Sequence, residues 1–139
     1  MSEKVLKTAK LILGVLIIFL LLCQLFTFEK FPEILSGAGI NSSMSLVVMM
    51  VLVITELVSL PFLIGIQISL LVVLISRAAG FISLGLMTMT SAMTVMDGSP
   101  AVMFGATLKN VNSLVGVMVL IIMWALLMIA NIPTKKTAK

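Results

Sequence analysis

The chain has no histidine and a single cysteine, Cys23. The absence of histidine excludes His-ligated zinc sites and His-based general-base catalysis, and it leaves no imidazole to activate a serine hydroxyl. One cysteine forms neither an intrachain disulfide nor a CxxC redox motif. No glycine-rich phosphate-binding loop is present either. We therefore expect the chain not to be an enzyme on its own.

Charged residues are scarce as well. They make up 10% of the 139 residues, whereas 61% are hydrophobic and the mean hydropathy is +1.32. Such a composition provides too little polar surface for a soluble domain of this size. The sequence therefore predicts one integral membrane domain over residues 1–139, with the lipid bilayer as its solvent.

Four apolar runs are long enough to approach or exceed the length of a membrane span, and they cover residues 11–28, 44–66, 68–93 and 113–130. A spanning helix needs about 20 apolar residues, and lipid tolerates only helices or closed barrels. The alternation typical of a transmembrane barrel is absent. Pro61 and Gly65 mark the break between the second and third runs, and no small-residue cleavage site follows the first run, which we interpret as a retained anchor. The fold class is therefore all-α, a bundle of four transmembrane helices.

The distribution of lysines predicts the orientation of this bundle. Lysines cluster at both ends of the chain, whereas the first loop has mixed charge: Lys4, Lys7 and Lys10 at the start, Lys135, Lys136 and Lys139 at the end, and Glu29, Lys30 and Glu33 in the loop. By the positive-inside rule, both termini are cytoplasmic, which requires an even number of spans. The net charge of +4 then reflects topology and predicts no nucleic-acid partner. We expect a prokaryotic plasma membrane as the location.

Glu56 and Arg77 are the only charged residues in the two longest apolar runs, and they lie at nearly equal distances from Gly65-Ile66-Gln67. At about 1.5 Å per residue, a tight turn there places both roughly 15 Å deep in a hydrocarbon layer of about 30 Å. We therefore predict an intramembrane ion pair. In a structural role, the pair fixes the register of two helices. In a functional role, Glu56 binds a proton or cation, or Arg77 holds an anionic head group or a quinone oxygen.

The third run also carries a strip of small residues. Its members recur every seven residues, with one glycine close to the same face: Ser69, Ser76, Ser83 and Thr90, with Gly80. Small residues let membrane helices approach closely, so the strip predicts helix packing, with a polar path as the alternative. Because Arg77 lies beside the strip, we expect it to point inward.

Methionine is abundant, with twelve residues in the chain. Met89, Met93 and Met96 fall at positions i, i+4 and i+7 of one predicted helix. Thioethers are soft ligands that suit Cu(I), which makes these three residues candidate copper ligands. Methionine is also a flexible apolar filler in helical cores, which is the alternative explanation.

The segment over residues 94–112 has a further pattern. Asp97-Gly98-Ser99-Pro100 is typical of a turn, and Phe104, Leu108 and Val111 then recur at helical spacing. We predict a short helix lying in the membrane interface.

The order of these features resembles the DoxX-like family, which includes DoxD-like and MauE-like proteins. The likeness covers about residues 10–130 and rests on three motifs: Glu29-Lys30-Phe31-Pro32, Thr55-Glu56-Leu57 and Leu108-Lys109-Asn110-Val111. It implies a small four-helix membrane protein associated with a membrane redox system, as in the small subunit of a thiosulfate:quinone oxidoreductase, or with maturation of exported redox enzymes. It carries over Glu56 and Lys30 as positions of interest. The chain departs from a thiol-disulfide role because it lacks a cysteine pair.

Together these patterns predict a non-catalytic accessory or assembly subunit of a larger membrane complex, associated with redox chemistry. Its expected partners are lipid and other membrane subunits or further copies of itself, with quinone or copper as candidate cofactors. The alternative is a small oligomeric transporter or channel for a proton, a metal cation such as copper, or a small metabolite, with Glu56 and Arg77 at its centre.

Overall fold

The computed structural model describes residues 3–37, 40–66, 69–97, 102–104 and 112–132. Within these ranges, four long helices are apolar enough to cross a membrane. They are joined by one short helix and one 3₁₀ turn, so that the elements in chain order are α1 (Glu3–Phe26), α2 (Phe31–Gly37), α3 (Ser42–Ile64), α4 (Leu70–Asp97), the 3₁₀ turn (Val102–Phe104) and α5 (Ser113–Ala130). The predicted all-α architecture of four membrane-spanning helices is confirmed.

The helix bounds differ from the predicted runs mainly at polar ends. α1 begins at Glu3 rather than at residue 11, because its lysines continue the helix beyond the apolar run. α4 continues to Asp97 rather than ending at residue 93. Of the pattern that predicted an interfacial helix, only Phe104 is described, and it lies in the 3₁₀ turn. Leu108 and Val111, the motif that contains them, and the C-terminal lysines lie outside the described residues.

The long helices pack as a four-cornered bundle. α3 packs against both α1 and α4, and α5 packs against the same two helices, which places α1 and α4 at opposite corners. We call the end that holds the Gly65 turn, the start of α1 and the end of α5 the turn end. The opposite end, which holds α2 and the 3₁₀ turn, is the loop end.

Apolar side chains from all four long helices fill the space between them. Those with less than 2% of their surface exposed include Leu13, Ile17, Leu20, Met49, Leu84, Met87, Met123 and Leu127. Dispersion contacts between such side chains hold the bundle together, because lipid supplies little hydrophobic driving force between helices. The interior is therefore a packed apolar core, which also contains buried polar side chains, most of them hydroxyls of α3 and α4.

The loop end is closed by the 3₁₀ turn. Met103 and Phe104 are buried, and the turn contacts α1, α2, α4 and α5. The two apolar side chains thus cover the interior between the long helices. The packing of the turn also places the backbone carbonyl of Met103 inside the bundle.

At the turn end, α3 finishes at a left-handed glycine. Gly65 has φ 79° and ψ 23°, and the backbone N–H of Ile66 bonds to the carbonyl of Pro61 at 3.0 Å. Glycine adopts this conformation without a Cβ clash, which is why it commonly terminates helices. Beyond the turn, α4 runs antiparallel to α3, and Gly80 lies so close to Ser59 that a Cβ at Gly80 would be 3.6 Å from the Ser59 Cβ.

Candidate functional site

Glu56 lies in the interior of the bundle, with its side chain fully buried on α3. Its carboxyl Oε1 accepts a hydrogen bond from the Gln24 amide, Nε2, at 3.0 Å. The same amide donates to the backbone carbonyl of Met103 at 3.3 Å. One primary amide has two N–H donors, so Gln24 can serve both acceptors at once. These bonds join α1, α3 and the 3₁₀ turn, and we call the three residues the Gln24 junction.

The backbone around Glu56 is fixed by its own helix. Ser59, one turn further along α3, donates its hydroxyl to the Glu56 carbonyl at 2.7 Å. Gln24 lies in the last turn of α1 and is also fully buried. Gln24 was not among the predicted site residues, although an amide within the first apolar run is a detectable signal. A buried amide side chain generally has a hydrogen-bond partner, so its presence in an apolar run indicates that such a partner lies nearby.

The predicted ion pair between Glu56 and Arg77 is not formed. Arg77 is exposed on α4, while Glu56 is buried against Gln24. The predicted pair assumed that two residues equally distant in sequence from the turn lie at equal depth. The close approach of Gly80 to Ser59 shows that α4 is shifted along α3 relative to this assumption, so that Arg77 lies opposite a residue close to Phe62. Arg77 therefore belongs to the turn end, about one and a half helical turns from the depth of Glu56.

Ser83 takes the place opposite Glu56. It lies three residues beyond Gly80 on α4, and Glu56 lies three residues before Ser59 on α3. Because the helices are antiparallel and Gly80 lies beside Ser59, moving three residues along each helix places Ser83 beside Glu56. Both side chains are fully buried. Glu56 and Ser83 thus share one level of the interior.

Three oxygen atoms at or near this level are buried without a hydrogen-bond partner among the described residues: Gln24 Oε1, Glu56 Oε2 and Ser83 Oγ. Buried polar groups in native proteins are almost always satisfied, so each of these atoms calls for an explanation. Carboxylate, amide and hydroxyl oxygens suit a hard cation, and they equally suit a water molecule that bridges polar groups. The level is therefore a part of the interior where a cation or a water molecule would find oxygen ligands.

The small-residue strip largely faces the interior. Ser76, Gly80, Ser83 and Thr90 are buried, whereas Ser69 is exposed at the start of α4. The Ser76 hydroxyl bonds across to α3, and the Thr90 hydroxyl bonds to Leu86 and Met87 carbonyls of its own helix at 3.1 Å. These two hydroxyls are thus occupied by structural bonds, which favours packing over a continuous polar path.

The three methionines proposed as copper ligands lie on the outer part of α4. Met89 is 59% exposed and Met96 is 87% exposed, while Met93 is partly buried. Thioethers on one exposed face do not form an enclosed ligand set. Among the described residues, no group of three or more His, Cys, Asp or Glu side chains is placed to hold a metal ion. The buried methionines, among them Met49, Met87 and Met123, pack in the apolar core.

Lys30 lies apart from the Gln24 junction. It is exposed after α1, where its backbone N–H bonds to the Thr27 carbonyl at 2.9 Å. With neighbouring residues 25–29 it lines an open cavity of about 370 Å³ at the loop end. The structure thus separates the two positions that the family resemblance singled out.

Comparison with protein-family models, with curated proteins and with solved structures finds no match for this chain.

Proposed function

We propose that the protein is a non-catalytic accessory or assembly subunit of a larger membrane complex. The observation that carries this proposal is the packed core, in which each of the four long helices contributes apolar side chains that are almost completely buried. A protein that moves a solute by itself needs a hydrated path or a pocket at the depth of its polar groups. A filled bundle is better suited to a structural or docking role.

In this role, the Gln24 junction holds the loop end together. Glu56 accepts from Gln24, and Gln24 holds the 3₁₀ turn through Met103. A hydrogen bond that ties an extramembrane turn to two spanning helices gives that turn a defined shape. A defined loop end is what a partner subunit would recognise.

The outward face of α5 is a second surface that suits a partner. Its side chains are large, apolar and exposed, and they include Leu114, Met118, Ile121, Ile122 and Met128. Lipid covers such a face in an isolated molecule, and a helix of another subunit would replace that lipid by van der Waals packing. The association with redox chemistry and quinone as a cofactor of the complex rest on the resemblance to DoxX-like proteins, whereas copper as a cofactor rests on the thioethers of Met89, Met93 and Met96.

The subunit proposal is tested by native mass spectrometry of the protein extracted in mild detergent from its own membrane. We expect a defined hetero-complex, whose partner names the chemistry. Recovery of a homogeneous homo-oligomer that conducts protons or metal ions in liposomes would overturn the proposal. A mock extraction from cells that lack the protein controls for co-purifying contaminants.

We further propose that both termini face the cytoplasm of a prokaryotic cell, because lysines follow the positive-inside pattern. Lys4 lies exposed at the turn end and Ser36 lies exposed at the loop end. In intact spheroplasts, an impermeant maleimide should label Ser36→Cys but not Lys4→Cys. Labelling of Lys4→Cys before permeabilisation would contradict this orientation. The unsubstituted protein controls for Cys23, which is buried.

A second candidate function is transport of a proton or cation by an oligomer. The unsatisfied oxygens of Gln24, Glu56 and Ser83 favour it, because they offer a polar binding level inside the membrane span. Glu56→Gln removes the ionisable group while keeping an oxygen that accepts from Gln24. If the protein transports, this variant should lose flux in liposomes while keeping its unfolding temperature. Equal flux in the variant and the unsubstituted protein would exclude Glu56 as the transport site.

A further inference from the structure

Two cations of the turn end, Lys10 and Arg77, lie on different membrane-spanning helices. Lys10 lies on α1, with its ammonium Nζ 4.2 Å from the centroid of the Phe62 ring. Arg77 lies on α4 and is close enough to Lys10 for the two charges to interact. Arg77 follows Val73 by four residues, which places the two residues on one face of α4, one helical turn apart.

No carboxylate lies at this level among the described side chains. Glu29, Glu33 and Asp97 belong to the loop end, and Glu56 is bonded to Gln24. Glu3 begins α1, and seven residues of helix separate it from Lys10, about 10 Å along the axis. Like charges without an anion are costly in apolar surroundings, where intramembrane cations usually pair with an acidic group. Among the described side chains, this level thus has the positive half of an ionic contact without the negative half, which a bound anion can supply.

A cavity lies beside these cations. It has a volume of about 340 Å³ and is lined by Lys10 together with side chains of α3 and α4 and the turn between them, including Phe62, Ile66, Leu70 and Val73. Its volume lies near the lower limit of about 300 Å³ for small-molecule pockets. One wall is cationic and the others are mainly apolar, so the cavity suits an amphiphile with an anionic head. The exposed side chains of Leu71 and Leu74 continue the apolar surface along α4 for its hydrocarbon part.

We propose that the cavity binds the phosphate of an anionic phospholipid from the leaflet that surrounds the turn end. Lys10, which lines the cavity, holds the phosphate, and Arg77, one helical turn beyond the lining residue Val73, adds a second positive charge. An ammonium and a guanidinium both form charge-assisted hydrogen bonds with phosphate oxygens. Basic pockets between membrane helices are suited to such head groups. Phe62 keeps the Lys10 ammonium in place through its ring face, which orients the cation toward the cavity. This site is independent of the proposed subunit role.

The test uses the full chain in nanodiscs made from equimolar phosphatidylcholine and phosphatidylglycerol, with native mass spectrometry of the lipids that stay bound after partial delipidation. We expect phosphatidylglycerol to be enriched on the unsubstituted protein. Lys10→Gln and Arg77→Gln should each lower this enrichment about fivefold, the effect of one cation near an anionic lipid. Lys4→Gln removes an equal charge from the exposed start of α1 and serves as the matched control, with little change expected.

Several results would overturn the proposal. One is an unchanged enrichment of phosphatidylglycerol in both Lys10→Gln and Arg77→Gln. Another is a decrease of this enrichment in Lys4→Gln as large as the decrease in those two variants. If the glutamine variants fail to fold, the unsubstituted protein decides the matter, since it should unfold at a higher temperature in phosphatidylglycerol than in phosphatidylcholine. Competition with free inorganic phosphate tells whether the bound phosphate group belongs to a lipid or to a free ion. If phosphate displaces no lipid, the lipid is the ligand; if phosphate stabilises the protein fully in phosphatidylcholine alone, the lipid source is excluded.

Discussion

The hydroxyl of Ser76 on α4 accepts a hydrogen bond from the backbone N–H of Phe62 on α3 at 2.9 Å. The same hydroxyl donates to the carbonyl of Ser59 at 3.0 Å. Both backbone groups lie within two residues of Pro61, which lacks an N–H and disturbs the hydrogen-bond ladder of α3. Ser76 therefore bonds to the backbone of α3 beside its proline and joins α3 to α4 at one point.

Replacing Ser76 with alanine should destabilise the bundle, because two backbone groups of α3 lose their partner. Interhelical hydrogen bonds in membranes are worth about 0.6 kcal/mol on average and up to about 1.7 kcal/mol. The free energy of unfolding in a denaturing detergent titration measures the loss. Ser91→Ala on the same helix is the control, since the Ser91 hydroxyl is buried without a described partner and its removal should cost nothing. Equal losses in the two variants would contradict the assigned role of Ser76.

The Gln24 junction should behave as a coupled pair. Gln24→Leu and Glu56→Leu each leave the other polar group buried without its partner, which costs about 1–3 kcal/mol. The double variant should lose less free energy of unfolding than the sum of the single variants, because both polar groups are then gone. A double-mutant cycle in the same titration gives the coupling energy. Simple additivity would show that the 3.0 Å bond contributes little.

The corrected register predicts the outcome of a charge exchange. Glu56→Arg combined with Arg77→Glu would restore stability if the two residues were paired. Because Glu56 contacts Gln24 and Arg77 is exposed, we expect no recovery in the double variant relative to Glu56→Arg alone. Thermal unfolding in detergent checks this directly. Recovery to the stability of the unsubstituted protein would show that the pair exists.

Gly80 should tolerate alanine but not leucine. A Cβ there would lie 3.6 Å from the Ser59 Cβ and 3.7 Å from Leu127 Cδ1, which is ordinary contact distance, whereas further atoms would push α3 and α5 away. Overpacking of this kind costs about 1–3 kcal/mol. Gly85→Leu is the matched control, because nothing lies within 4 Å of a Cβ at that position. The difference in unfolding free energy between Gly80→Leu and Gly85→Leu isolates the effect of close packing.

Trp124 is the only tryptophan of the chain, so its fluorescence reports on one site. Its indole Nε1–H donates to the Thr88 hydroxyl at 3.0 Å, and its ring lies 6.1 Å from that of Phe81. Thr88→Val keeps the shape of the side chain and removes the acceptor, so we expect a shifted emission maximum. Thr55→Val on α3 is the control, because the Thr55 hydroxyl bonds only within its own helix. An unchanged spectrum in Thr88→Val would contradict the bond.

The four-helix architecture could be predicted from the sequence, because the hydropathy of each segment depends only on its own residues. Residues 113–130 were predicted as a helix and form α5 with the same bounds. The hydrogen-bond partner of Glu56 could not be predicted in this way, since it depends on the register and rotation of helices that are distant in sequence. Gln24 and Glu56 are 32 residues apart, and Gln24 and Met103 are 79 apart. Arg77 was misplaced because symmetric counting from the turn ignores the shift that close packing at Gly80 imposes.

The 3₁₀ turn packs over the interior at one end of the bundle, and each end has an open cavity, lined by residues 25–30 at the loop end and in part by Lys10 at the turn end. The two cavities differ in charge, because the loop-end cavity carries Glu29 beside Lys30, whereas the turn-end cavity carries Lys10 without an acidic lining residue. An anionic amphiphile would therefore meet a cationic wall in the leaflet at the turn end and a wall of mixed charge in the leaflet at the loop end. Such a difference would give the two leaflets unequal contacts with anionic lipid.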